Sequence, residues 1–144
     1  MKGKNFMRCL RNASHQASVM GVACMVSLAA CTGTGGQKVH SEYDVGQARE
    51  AVDKATVMLL DVRTPEEFAN GHISGAVNID WYDSAFSAKA GLIDKNTPLL
   101  VYCAVGGRSV EAQEVLKQMG FKNIHNLTGG FDAWRRAGLA VELP

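Results

Sequence analysis

The stretch VYCAVGGRSVEAQEVL, Val101 to Leu116, carries an apolar run into a cysteine, across two adjacent glycines and an arginine, and directly into a segment of helical periodicity. With its upstream neighbours it reads as a strand, Pro98–Cys103, suited to a sheet covered on both faces. Downstream, Ala112, Val115, Leu116 and Met119 fall at i, i+3, i+4 and i+7, and Gly120 supplies the stop. Strand, tight turn and helix in succession predict an α/β fold, whose ligands bind beyond the carboxyl ends of the strands. Cys103 is therefore delivered to the place where function is expected.

Outward from this stretch the same alternation recurs. Ser41 is placed to cap a helix over Ser41–Lys54, in which Val45, Ala48, Ala51 and Val52 recur at helical spacing. Thr56–Val62 is a second continuous apolar run of strand length. Thr64-Pro65-Glu66-Glu67 has the order of a helix start, a cap, then proline, then acids, and Gly71 ends that helix. Gly75–Ile79 reads as a short strand, Trp81–Ala90 as a helix, Asn123–Leu127 as a strand and Gly129–Gly138 as a last short helix. The expectation is one parallel sheet flanked by helices on both faces.

The chain has 144 residues and a formal net charge of +1, which hides an asymmetry. Lys2, Lys4, Arg8 and Arg11 are the only Lys, Arg, Asp or Glu among the first thirty residues, so from Cys31 onward eleven basic residues face fourteen acidic ones. Such a mildly acidic surface gives nucleic-acid binding no support. The uncharged run Ala17–Ala30 is shorter than the about 20 residues needed to cross a bilayer and suits a signal peptide. Its end, Leu28-Ala29-Ala30-Cys31, resembles the lipobox of bacterial lipoproteins, which implies a diacylated Cys31 as mature N-terminus. Residues 1–30 are thus expected to be a lipoprotein signal peptide, 31–38 a lipidated N-terminus with a flexible tether, and 39–144 the folded domain. The implied location is the bacterial cell envelope, lipid-anchored, on the periplasmic face in a Gram-negative cell. Thr32 after the cysteine favours the outer membrane by analogy. Cys9 and Cys24 would leave with the signal and Cys31 would carry lipid, which leaves Cys103 a free thiol without a partner for an internal disulfide.

The loop Cys103-Ala104-Val105-Gly106-Gly107-Arg108 carries no acidic side chain, and its glycines let the backbone curl until successive N–H groups point inward as an anion-binding nest. The positive end of the following helix and the Arg108 guanidinium add to that field. Such surroundings lower a thiol pKa from about 8.5 to roughly 3.5–7.5, which makes Cys103 a candidate nucleophile rather than a small buried hydrophobe. The same cradle suits an anionic substrate.

Three blocks, LLDVRTPEEFANGHISGAVNI (59–79), LLVYCAVGGRS (99–109) and NLTGGFDAW (126–134), resemble the signature blocks of rhodanese domains in order and spacing. The resemblance covers Val39–Pro144 and implies a single-domain sulfurtransferase. In that family a cysteine accepts a sulfane sulfur as a persulfide and passes it to a nucleophile. Carried over, it implies Cys103 as sulfur carrier and the backbone of Ala104, Val105, Gly106, Gly107 and Arg108 as its cradle. Arg108 is implied to help bind a small anionic donor, thiosulfate by family habit. The implied acceptor is cyanide or a thiol, protein thiols included. No organic cofactor and no metal is expected. Two departures stand out: Ser74 replaces the usual proline, and Ala104 and Val105 are uncharged where many members carry a polar or basic residue. The second bears on how firmly a doubly charged donor is held.

Other residues read as structure. Asp61 is expected to be a satisfied carboxylate fixing nearby loops, and Arg63 and Glu67, four apart, a local ion pair. Asp61 and Arg63 would then support the site. His72 and His125 have no second ligand at metal-binding spacing, and Phe131 and Trp134 belong to the core. Three alternatives remain: a persulfide carrier for a dedicated partner, a noncatalytic binding module, and a cysteine phosphatase or arsenate reductase. The phosphatase pattern places five residues between cysteine and arginine, and here four intervene.

Overall fold

Every residue of the strand that leads to Cys103 is buried, and its side chains alternate between two cores. The computed structural model describes residues 39–143, so the expected signal peptide and tether, 1–38, lie outside the described residues. The strands are β1 (Val39–Tyr43), β2 (Met58–Asp61), β3 (Val77–Asn78), β4 (Leu99–Tyr102) and β5 (Asn123–Leu127). They form one sheet in the order β1-β5-β4-β2-β3, with every pairing parallel. The helices are α1 (Val45–Asp53), α2 (Pro65–Ala69), α3 (Phe86–Ala90), α4 (Gly107–Gln118) and α5 (Gly130–Arg136). Leu60, Leu99, Val101 and Ile124 pack with Phe86 and Ala90 of α3 and Ala112 and Leu116 of α4. Leu59, Leu100, Tyr102 and Leu127 turn the other way, to Ala48 of α1 and Phe131 and Trp134 of α5. Alternate strand residues thus face alternate layers, as a sheet covered on both faces requires.

Most expected elements are present within a residue or two; the exceptions are the later starts of two helices and an unexpected strand, β1. Ser41 caps no helix: it lies in β1, where its hydroxyl meets Nδ1 of His125, its register partner on β5, at 2.8 Å. Helix α1 starts at Val45, four residues later than its periodicity predicts, under a capping box. There the Gln47 N–H donates to Asp44 Oδ1 (2.8 Å) and the Asp44 N–H to Gln47 Oε1 (3.1 Å). The reason is positional, since an edge strand as short and half-exposed as VHSEY has no continuous apolar run to announce it. The segment Trp81–Ala90 also shortens to α3, because the Asp80 and Asp83 carboxylates accept the Tyr82 and Ala85 N–H groups and close turns first.

Helix α2 begins as its sequence dictates. Thr64 caps it, Pro65 is its first residue, and Glu67 closes the box by accepting the Thr64 N–H at 3.1 Å. Ser74, in the proline's usual place, donates to Glu142 Oε2 at 3.0 Å beside the antiparallel bridge between His72 and Glu142. The departure from the family pattern is thereby used to tie down the segment after α5.

This strand order fixes where a site can form. From β2 the chain steps outward to β3, and from β4 it steps the opposite way to β5. The loops that leave β2 and β4 therefore part at their shared boundary, which opens a crevice at the carboxyl ends of the two strands. One of those loops carries Cys103 and the other leads to Glu67.

Candidate active site

Cys103 directly follows β4 and is 1% exposed, so its sulfur forms the floor of the loop rather than its surface. Gly106 sits in the left-handed region at φ +115° as the residue before α4, and this turn directs its N–H onto Cys103 Sγ at 3.1 Å. The Ser109 hydroxyl lies 2.9 Å from Gly106 O and 3.6 Å from Sγ, so its single proton serves either acceptor. Burial alone pushes the Cys103 thiol up. The Ser109 hydroxyl and the amides of Ser109, Gly106 and Val105 outweigh that burial and leave the thiol below its ordinary value.

The loop holds this shape because its carbonyls are fixed elsewhere. The Phe131 N–H donates to Cys103 O at 2.8 Å and the Asp132 N–H to Ala104 O at 3.0 Å. Such a close approach of the first turn of α5 needs Gly130, at φ +58°, because a Cβ there would clash with Cys103 O and lie 2.6 Å from Ala104 O. With both carbonyls drawn toward α5, the following amides are free to face the thiol. Val105 is then turned outward, two-thirds exposed, and Gly107 opens α4.

Asp61 and Arg63 brace the crevice from the β2 side. The fully buried Asp61 carboxylate accepts the Arg63 Nε at 3.0 Å, its Nη2 at 2.6 Å and its backbone N–H at 2.9 Å. Arg63 Nη2 also reaches Gly71 O at 2.9 Å, and the guanidinium lies 4.1 Å from the centre of the Phe131 ring. Burial works against the charge on Arg63, and the bonds and field of Asp61 overcome it and raise its pKa. The pair connects β2, the turn at Gly71 and α5.

The expected ion pair between Arg63 and Glu67 gives way to two separate ones. Arg63 is occupied by Asp61, while Glu67 reaches across the crevice to Arg108, with Nη1 to Oε2 at 2.7 Å and Nη2 to Oε1 at 2.8 Å. The Arg108 guanidinium holds the Glu67 carboxyl down to about 2, and the Glu67 carboxylate raises Arg108 in return. The Tyr82 ring, 70% exposed, lies 5.6 Å from Arg108 Cζ. The roles of Glu67, Ser109, Tyr82 and Gly130 are absent from the sequence reading. Glu67 was legible only as an acid of a helix start and as a neighbour of Arg63, since its actual partner is 41 positions away.

The remaining candidates are occupied by structure. His125 is buried against Ser41 and stacks on Tyr43, while His72 stacks on Phe68 and meets its carbonyl through Nδ1 at 3.1 Å. Among the described residues no three His, Cys, Asp or Glu side chains converge as a metal site would require. Phe131 and Trp134 are buried in the second core, the latter donating from Nε1 to Ala140 O at 2.9 Å.

The anchoring contact yields a direct test. Gly130→Ala should lower the free energy of unfolding by about 2 kcal/mol or more, from the left-handed backbone penalty plus overpacking against fixed carbonyls. Urea titration reads it, and a change below about 0.5 kcal/mol, the size of an ordinary surface substitution, would contradict the contact.

The sequence profile of the rhodanese-like domain family matches residues 44–137. A sulfurtransferase of Allochromatium vinosum is 34% identical over 97 residues, covering 67% of this chain and 89% of that protein. A Pseudomonas aeruginosa protein named thiosulfate sulfurtransferase GlpE is 40% identical over 90 residues, covering 62% of this chain and 78% of its own. Among solved structures, a rhodanese-related protein from Thermoplasma volcanium superposes with a TM-score of 0.65 at 30% identity, over 72% of this chain and 99% of that one. The parallel sheet, the cysteine loop after β4 and the glycine turn that anchors it stand in one α/β domain, and the chain belongs to the rhodanese-like domain family.

Proposed function

We propose that Cys103 is the sulfur carrier of this rhodanese-type sulfurtransferase. Its thiolate attacks the sulfane sulfur of a donor, a new S–S bond forms on Cys103, and the donor's S–S bond breaks with its electron pair leaving on sulfite or a thiolate. The outer sulfur of the Cys103 persulfide is then taken by cyanide or a thiol, which regenerates the thiolate. The observation that carries this reading is the convergence of the Gly106 N–H and the Ser109 hydroxyl on one buried sulfur, in a loop without acidic side chains. Donors that stabilise a thiolate also stabilise the negative charge of a persulfide. The backbone from Ala104 to Arg108 forms the cradle, and thiosulfate, named for the Pseudomonas aeruginosa relative, is the first donor to test.

A phosphoryl-transfer reading is less well supported. Arg108 already gives one bond from each terminal nitrogen to Glu67, which leaves fewer of its N–H groups for phosphoryl oxygens. Four intervening residues also make a smaller cradle than five.

Lipid anchoring of the domain at the bacterial envelope is a further part of the proposal, resting on Leu28-Ala29-Ala30-Cys31 behind an apolar segment. Cys31→Ser should move the protein from the membrane to the soluble fraction or block its maturation, because two acyl chains suffice for stable anchoring. Unchanged fractionation and unchanged mass would contradict the anchor.

The transfer chemistry is tested on the protein incubated with a sulfane donor. The Cys103 peptide should gain the mass of one sulfur, lose it on addition of cyanide and yield thiocyanate, and Cys103→Ser should do neither. Turnover without sulfur on Cys103, or thiocyanate formation by Cys103→Ser at the wild-type rate, would contradict the assignment.

A further inference from the structure

Resting on the sulfur-carrier reading of Cys103, we propose that Glu67 is a specificity-determining residue. By occupying both terminal nitrogens of Arg108 it withdraws the loop's one side-chain cation from donor binding. The site then favours singly charged sulfane donors bearing an organic group over dianionic thiosulfate.

The geometry for this is fixed on both sides. Glu67 does not swing, because its Oε2 also accepts the Thr64 N–H at 3.1 Å and its own N–H donates to Thr64 Oγ1, so the first turn of α2 holds the carboxylate in place. Arg108 is held by two parallel bonds, the arrangement in which a guanidinium and a carboxylate satisfy each other most fully. The side chains are 18% exposed for Arg108 and 36% for Glu67, so the pair is sheltered without being sealed. A donor seeking Arg108 must therefore compete with a carboxylate already in position.

Charge at the mouth follows from that pairing. Arg108 and Glu67 cancel, and Ala104, Val105, Gly106 and Gly107 carry none. Within the loop only backbone amides and the Ser109 hydroxyl then offer donors, and a reacting Cys103 thiolate leaves the loop itself net negative; other charges, Asp132, Arg135 and Arg136, stand on α5. A second charge on the donor meets the Cys103 thiolate without an unpaired cation of the loop to offset it. An organic group meets the Val105 side chain and the Tyr82 ring, which are 66% and 70% exposed beside the loop and the Arg108 guanidinium.

Methanethiosulfonate anion is the discriminating probe, since it is thiosulfate with one charged oxygen replaced by a methyl group. In both reactions the Cys103 thiolate bonds the terminal sulfur and the donor's S–S bond breaks. The pair leaves on sulfite from thiosulfate and on methanesulfinate from the organic donor. Cyanide completes each turnover as thiocyanate.

The experiment measures kcat and KM for both donors with the whole protein and its Glu67→Gln variant, in which glutamine keeps the helix-capping acceptor. The thiosulfate-to-methanethiosulfonate ratio of kcat/KM should rise about tenfold in the variant, chiefly through a lower KM for thiosulfate, as expected when a charged hydrogen-bonding group is released to the donor. An unchanged ratio, or equal losses with both donors, would overturn the inference and leave Glu67 a support for the loop. A second measurement needs no variant. In the wild-type protein, raising ionic strength from about 0.01 M to about 0.1 M should raise thiosulfate efficiency relative to methanethiosulfonate, because like charges are screened. A relative fall would show that a cation receives the dianion and would overturn the inference. If sulfur transfers but neither signature appears, only the specificity assignment fails. If neither donor places sulfur on Cys103, the carrier reading fails and this inference with it.

Discussion

Two backbone hydrogen bonds, from Phe131 to Cys103 O and from Asp132 to Ala104 O, are the constraint on which the site depends. A five-residue turn has as many carbonyls as amides, and it becomes an anion cradle only if the carbonyls are drawn away. The start of α5 does this, and it comes close enough only because Gly130 has no side chain. The sheet serves the same end by placing β5, and hence the turn into α5, beside β4.

The electrostatics around the thiol combine opposing effects. Burial under the loop disfavours a thiolate, and directed donors from Val105, Gly106 and Ser109 more than offset it. Around this centre the protein neutralises its charges in pairs. Asp61 with Arg63 sits deep behind the sheet end, and Glu67 with Arg108 bridges the two loops that part at the switch between β2 and β4. The inner pair holds the scaffold, stacking on Phe131 and bonding Gly71, whereas the outer pair stands at the rim beside Tyr82. What reaches the sulfur therefore meets oriented amides more than free charge.

The readability of the chain follows sequence distance. Strands β2 and β4 lie in continuous or near-continuous apolar runs, and Thr64-Pro65-Glu66-Glu67 contains its whole cap within four residues, so each was legible locally. The Cys103 loop was legible for the same reason, since nest and helix start are adjacent. β1 was not, because VHSEY gains its strand identity from β5 some eighty residues later and otherwise resembles a helix lead-in. The partners of Glu67 and Gly130 were hidden by the same cause. Arg63 lies four residues from Glu67, but the buried Asp61 carboxylate two residues before it satisfies that guanidinium first.

If this loop turns a buried cysteine into an anion, the pH dependence of Cys103 alkylation reveals it. Iodoacetamide reacts with the thiolate, and peptide-resolved mass spectrometry separates Cys103 from the other three cysteines. In the folded protein the rate should rise with a midpoint below that of the same cysteine in urea, where the ordinary value of about 8.5 applies. A folded-state midpoint equal to or above the urea value would show instead that burial prevails over the loop's hydrogen bonds and that the loop does not activate Cys103.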